Sequence, residues 1–332
     1  MDDTGPPAHD RPRVAVFAPA PVLVCTFEHP PDRSNPDVAL NVGGQGPWVA
    51  RAAQALGADV ALVTPLGGDT GVTAHHLLLE GAYEVHAVLT RAATACYVEE
   101  REGGERTCLR DAAPGRLVRQ EVDDLYSAAL TEALGADVCV ITGSPWAESL
   151  DTSLLTRLTA DLGALGRTTV ADLSGHQLAA ALEGGLDWLK VGHDELIPDV
   201  VAATGVPRGD RAVEGPDEGS LWDAAERLAG AGERRRSVVV SRAGDAPSLV
   251  VARDRRLLVR SPALTAAGAR GSGDTMTAAL ATGLAARRPL TDLLRWAAAA
   301  GAANVVRKGS ATPDPELVER LTAAVFVEEV AG

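Results

Sequence analysis

From Arg13 onward the chain repeatedly pairs a short apolar run with a longer amphipathic one. That pairing restricts the folds open to it, because strands buried on both faces need helices to cover and connect them. The patterning predicts core strands at Val14–Ala18, Val60–Thr64, Val138–Thr142, Thr168–Asp172, Trp188–Val191 and Val238–Ser241. Between them it predicts helices at Trp48–Leu56, Val72–Glu80, Val122–Leu134, Ser153–Leu165, Gln177–Glu183 and Ser220–Ala229. The order is that of a doubly wound α/β sandwich around a mainly parallel sheet. Val22–Glu28 and Thr94–Leu109 break the alternation and read as extended segments, the second turning at Glu102-Gly103-Gly104-Glu105 as a hairpin. They are expected to make a small sheet beside the main one, either a lid over a site or an edge hairpin. Gly273–Arg307 is dense in Ala and Leu and reads as two packed helices broken near Arg288 by Pro289. Gly205–Gly219 is expected to be a surface loop, Pro315–Val330 a packing helix, and Met1–Pro12 a flexible tail ahead of one domain spanning 13–330.

Composition narrows the function. The chain has 332 residues, 46% of them hydrophobic, which is enough to bury a core and excludes intrinsic disorder. With 31 Lys and Arg against 45 Asp and Glu, the net charge of −14 argues against a nucleic-acid binder. Lys190 and Lys308 are the only lysines, so most phosphate binding is expected to use arginine, backbone amides or a metal ion. Cys25, Cys96, Cys108 and Cys139 form no C-x-x-C pair, and the histidines have no ligand spacing, so a zinc site and a disulfide framework are both disfavoured. No run approaches the roughly 18 apolar residues of a membrane span, and no basic, then apolar leader opens the chain. A cytoplasmic protein without a membrane partner is expected.

The strongest local signal is Gly268-Ala269-Arg270-Gly271-Ser272-Gly273-Asp274-Thr275-Met276, which runs directly into a helical stretch. Small residues at a helix start leave backbone N–H groups uncovered, and the helix dipole adds positive potential, so an anion can sit there without lysine. Asp274 falls in the first turn, where a carboxylate can take a proton from a nearby hydroxyl while the amides of Gly271, Ser272 and Gly273 stabilise a transferring phosphoryl group. A glycine turn with a dipole-complementing aspartate explains the segment equally well. No G-x-x-x-x-G-K-[ST] occurs, and Met276 stands where a dinucleotide fingerprint needs glycine. The second signal, Asn41-Val42-Gly43-Gly44-Gln45-Gly46-Pro47-Trp48, leads into a helix and permits close backbone approach to a ligand or simply a tight turn.

In this order and at this separation, the two segments resemble the ribokinase or PfkB family of carbohydrate kinases, over most of the chain from Val14 to about Gly309. Gly43 to Ala50 resembles that family's G-G-K-G-x-N-x-A motif, Leu56-Gly57 through Gly67-Gly68-Asp69-Thr70-Gly71 its L-G … G-x-D-x-x-G stretch, and Gly271–Asp274 its G-[AS]-G-D signature. The resemblance, nearest to the phosphofructokinase and tagatose-phosphate kinase subgroup, implies a ribokinase-like three-layer sandwich with a β-sheet lid at about 22–42 and 91–112. It also implies ATP and Mg²⁺ as cofactors, a sugar or sugar-phosphate acceptor, and a homodimer formed through the lid. It makes Asp274 the base and the Gly271–Gly273 amides the anion hole. Gly43, Gly44, Gln45, Trp48 and Arg91 then face the acceptor, with Arg91 a phosphate clamp or else a solvated surface residue. Lys190, Ser241, Gly244 and Asn304 lie on the ATP side, Asn304 beside the adenine or in helix packing, and Glu195 organises magnesium indirectly.

This sequence departs from the family pattern mainly on the sugar side. Gln45 replaces the motif lysine, Trp48 replaces the asparagine, and Ala18–Val22 lacks the early aspartate. Trp48 can stack on a ring or serve as a core tryptophan. Val191-Gly192 replaces a Pro-Asn pair, and Ala243 and Ala246 replace glycines. A kinase with altered acceptor choice accounts for this split; a nucleoside or other small-alcohol kinase and a non-catalytic sugar or nucleotide sensor are the alternatives. An intact base at the transfer point speaks against the sensor.

Overall fold

The computed structural model describes residues 11–30, 32, 35–102, 105–146, 149–196, 217–231, 235–268, 270–307 and 311–331. Most of the expected tail and of the 205–219 loop, together with Gly309, lies outside the described residues. Strands β1 (Arg13–Phe17), β4 (Asp59–Gly67), β5 (Glu84–Thr90), β8 (Val138–Thr142), β9 (Thr168–Asp172), β10 (Trp188–Gly192) and β11 (Ser237–Ser241) run parallel in the order β5-β4-β1-β8-β9-β10-β11. Beyond β11 the sheet turns antiparallel through β12 (Ser248–Ala252), β13 (Arg255–Arg260) and β14 (Phe326–Val330). The chain starts in the middle of this sheet at β1, extends to one side through β4 and β5, and then fills the other. A cleft at the carboxyl ends of the strands follows from that reversal.

Helices cover both faces. One face packs on α3 (Arg119–Leu134), α4 (Ser153–Ala164), α5 (Gly175–Gly184) and α6 (Glu218–Gly230), the other on α1 (Gln45–Ala55), α2 (Gly68–Leu79), α7 (Ser272–Ala285), α8 (Leu290–Val305) and α9 (Pro315–Thr322). Alternate strand residues feed the two layers: Ala15 and Phe17 join the first, Val14 and Val16 the second. That is why the central strands read as unbroken apolar runs. The structure differs from expectation at the C-terminus, where α9 stops at Thr322 and Phe326–Val330 pairs antiparallel with β13 instead of continuing the helix. The Phe-Val-Glu-Glu-Val segment is rich in strand-favouring residues, and the open edge of β13 supplies its backbone partners.

A second sheet of order β3-β2-β6-β7 stands over the strand ends, formed by β2 (Val22–His29), β3 (Asp37–Gly43), β6 (Ala95–Glu102) and β7 (Glu105–Ala112). It contains both expected extended segments. Because the chain leaves the main sheet after β1 to build it, the carbonyls of Phe17 and Ala18 need new partners, which the hydroxyls of Thr142 (2.9 Å) and Thr64 (2.8 Å) provide. The return into α1 passes Gly44, whose φ of 96° and approach to the Ala20 carbonyl exclude a side chain. Gly46 lies so close to Ala18 that an added Cβ would stand 2.2 Å from the Ala18 Cβ and 2.8 Å from its Cα. Gly46→Ala gains about 1 kcal/mol of helix propensity, but the overlap pushes α1 off β1. A net loss of roughly 1–3 kcal/mol is expected in urea denaturation; an unchanged midpoint would contradict this packing.

Candidate active site

The N-terminus of α7 points into the gap between the two sheets. Gly271 caps it in the left-handed conformation (φ 83°, ψ 2°), and its carbonyl accepts the Thr275 N–H at 2.9 Å, so the first-turn amides have no carbonyl partner within the helix. The loop before the cap is tied down from α8: Asn304, wholly buried, donates from Nδ2 to the Arg270 carbonyl at 3.0 Å. Beneath the first turn lies Lys190 from β10, and a Cβ on Gly273 would stand 2.7 Å from its Nζ. The ammonium pairs with Asp172 at the end of β9, 3.2 Å away, and the same Asp172 oxygen accepts the Thr277 hydroxyl at 2.7 Å. Asp172 and Lys190 are 4% and 7% exposed, so neither charge is screened by bulk water.

Burial and this group together set the proton affinity of Asp274. Burial, with the charge of Asp172 adding to it, pushes the Asp274 carboxyl up to about 7, while Lys190 and Arg270 pull in the opposite direction. For Lys190, burial acts against the charge, but Asp172, Asp274 and Glu195 more than compensate and hold the ammonium above its usual value. A carboxyl ionising near neutrality beside a fixed cation and a helix N-terminus is suited to accepting a proton and to stabilising negative charge that builds up next to it.

Two clefts meet at this point. The first, of ≈ 320 Å³, is lined by Gly44, Gln45 and Trp48 from the start of α1, Val22, Val24 and Tyr97 from the lid, and Asp172, Gln177, Arg270 and Asp274. Its wall is rigid: Gln45 Oε1 accepts the Gly143 N–H at 3.0 Å, and the Gln177 amide bonds both the N–H and the carbonyl of Ser144, at 2.9 and 2.8 Å. The second cleft, of ≈ 650 Å³, is lined by Lys190, Ser241, Gly244, Ser272 and Gly273, with Leu264, Met276, Ala298, Ala302 and Val305 as an apolar flank. Glu195 lines both, and its carboxylate accepts the Gly192 N–H at 3.2 Å. Carboxylate oxygens from Glu195 and Asp194 at the second cleft are the hard donors that Mg²⁺ takes, so the residues present fit that ion.

The structure therefore gathers most of the expected site residues at the clefts. Gly43 does not line the first one; it is buried at the end of β3, where a Cβ would press on Val24 at 3.0 Å. Asn304 lines neither cleft and instead holds the transfer loop from behind. Arg91 also lines neither: it is exposed just past β5 at the sheet edge, with its N–H donated to Glu121. The guanidinium in the first cleft belongs to Arg270, which sequence reasoning passed over although it directly precedes Gly271. Asp172 was visible as the end of an apolar run and as the first residue of Asp172-Leu173-Ser174-Gly175, which resembles the family's D-x-S-G at a strand end, but without a role. Its pairing with Lys190 needed the register of β9 beside β10, where the two residues are partners.

Comparison with known proteins shows the family and the fold of the chain. Residues 24–317 match the family described as pfkB family carbohydrate kinase. The chain is 29% identical over 272 residues to the ATP-dependent 6-phosphofructokinase isozyme 2 of Escherichia coli, covering 81% of this chain and 82% of that protein. It is 28% identical over 298 residues to the 1-phosphofructokinase of Xanthomonas campestris, covering 88% and 89%. Phosphofructokinase-2 from Escherichia coli in complex with potassium superposes with a TM-score of 0.77 at 23% identity, covering 95% of this chain and 98% of that one, and shares the fold.

A titration test follows from the charge cluster. The folded state binds the Asp274 proton more tightly than the unfolded chain, because about 7 lies above the ordinary 3.8, so ionising it costs stability as pH rises between those values. Asp274→Asn removes that cost. The variant is expected to melt above the wild type at pH 8, with the gap closing as pH falls toward 4; a gap independent of pH would rule out a raised carboxyl.

Proposed function

The chain belongs to the pfkB family of carbohydrate kinases, and we propose that its two clefts hold a sugar or sugar-phosphate acceptor and ATP on either side of Asp274. The observation that carries this reading is the placement of one carboxyl, raised toward neutrality, at the N-terminus of α7 where the clefts meet. The first cleft, walled by Gln45, Trp48 and Gln177, orients an acceptor hydroxyl toward Asp274. The second carries its phosphate-facing groups, Lys190, Ser272 and Gly273, at one end and its apolar flank at the other, a polarity suited to a nucleotide.

Asp274 takes the proton of the acceptor hydroxyl as that oxygen bonds to the terminal phosphorus and the phosphorus–oxygen bond to the ADP leaving group breaks. The Gly271–Gly273 amides and Lys190 stabilise the charge on the transferring phosphoryl. Glu195 would hold magnesium through its water shell, and the ion, when bound, neutralises charge on the phosphate oxygens. The lid strands β2 and β6 exclude water from the acceptor side, which protects the phosphoryl group from hydrolysis.

The base must be ionised to act, so kcat/KM is expected to rise with pH through about 7 and level off above it. Asp274→Asn should lower kcat by about 10²–10⁴ while leaving ATP binding in place, measured by coupled ADP release and by calorimetry. Retention of full turnover by the variant would remove Asp274 from the base role.

A further inference from the structure

The first cleft has a charge pattern that phosphoryl transfer alone does not require. Its floor is acidic, with Asp172, Glu195 and Asp274, yet one cation enters it, and among the described residues lining the cleft Arg270 is the only basic one. The side chain is 46% exposed, but it is tethered at two points. The central carbon of the guanidinium sits 5.1 Å from the centre of the Trp48 ring, and Nη1 donates to Glu99 Oε2 at 3.4 Å. Glu99 comes from β6 of the lid and is 5% exposed. Its other oxygen accepts the Thr26 hydroxyl at 3.0 Å and lies 3.5 Å from Arg106 Nη1.

Two guanidiniums thus share one buried carboxylate. Arg270 is the member of this group that reaches the cleft, where its charge also acts on Asp274. The Nε and Nη2 atoms of Arg270 make no hydrogen bond among the described residues. Its backbone is fixed by Asn304 and its side chain by Glu99 and Trp48, so the donor fork is held in place before a ligand arrives. A planar fork of this kind matches the two oxygens of a phosphate ester or a carboxylate.

We infer that Arg270 is a specificity-determining residue, positioned by Glu99 and Trp48 to bind an anionic group on the acceptor whose hydroxyl faces Asp274. The inference rests on the kinase reading only in taking the first cleft as the acceptor side. It assigns to the transfer loop the selective role that the sequence suggested for Arg91. It also offsets the loss of the motif lysine at Gln45, since the cleft regains a cation from a different element. Removing the fork weakens binding of anionic acceptors and leaves the phosphoryl-transfer groups in place.

The test uses the full chain and three variants, Arg270→Gln, Arg270→Lys and Glu99→Gln, with hexose phosphates, the matching free hexoses and hexonates. Binding is read by calorimetry and turnover by ADP release. The inference expects the wild type to prefer anionic acceptors, the phosphate and hexonate arms showing which anion it takes. Arg270→Gln should raise the KM and Kd for that acceptor on the order of tenfold to a hundredfold, the loss of a charge-assisted pair of hydrogen bonds, with the KM for ATP held. Arg270→Lys should recover part of the loss, and Glu99→Gln should show a smaller rise in KM with kcat retained. A fall in kcat that is equal for charged and neutral acceptors, with KM unchanged, would assign Arg270 to the transfer step and overturn the inference. Failure of the wild type to bind any anionic acceptor would also overturn it. Binding of an anionic acceptor that depends on Arg270 but gives no ADP would instead overturn the kinase reading and leave the inference standing.

Discussion

Lys190 holds a full positive charge where water hardly reaches, and the site is arranged around that fact. An ammonium in such a place survives only beside a carboxylate. Asp172, its neighbour in the register of two parallel strands, supplies one at 3.2 Å. Asp274 stands above that pair at the edge of the first cleft. Burial and the charge of Asp172 raise its carboxyl to about 7, while Lys190 pulls it down. A buried ion pair contributes little net stability, but it places charge with a precision that a surface pair lacks. Here the placement is directly under a helix N-terminus, where the macrodipole favours the same negative charge that the transfer reaction develops.

The two sheets divide the work. Parallel strands deliver Asp172 and Lys190 to one level, and α7 and α8 bring Asp274 and the Asn304-braced loop to meet them. The lid is built from two excursions, β2 and β3 between β1 and α1, and β6 and β7 between β5 and α3, so its strands stand over the first cleft while remaining hydrogen-bonded to one another. Arg270 links the two parts, since its carbonyl belongs to the transfer loop and its guanidinium to the buried carboxylate of β6. Loop and lid are thereby coupled through one side chain.

The central sheet was legible because its strands are buried on both faces and its helices on one, which gives two distinct periods; Val138–Thr142 and Thr168–Asp172 stand as the pattern predicts. Glu84–Thr90, Arg255–Arg260 and Phe326–Val330 escaped, because their charged or half-buried residues break the apolar run; Ser248–Ala252 escaped although it is wholly buried, because its apolar run is short and no helix separates it from the next strand. The segment proposed to carry the base and its anion hole was visible as a local motif. The partners around it were not, since the pairing of Asp172 with Lys190 and the contacts of Gln177 and Glu99 arise from strand register and from the packing of the second sheet, which no local spacing encodes. Arg91 shows the converse: a local match at a strand end whose side chain the fold leaves outside the cleft.

The central claim is that burial, with the charge of Asp172 adding to it, holds Asp274 as a carboxyl poised between its two protonation states at neutral pH. Infrared titration of the carboxyl stretch, comparing the wild type with Asp274→Asn, reads this directly. The account predicts a protonated carboxyl band that disappears with a midpoint near pH 7 in the wild type, and that the variant lacks. A wild type in which every carboxyl is already ionised at pH 5 would contradict it.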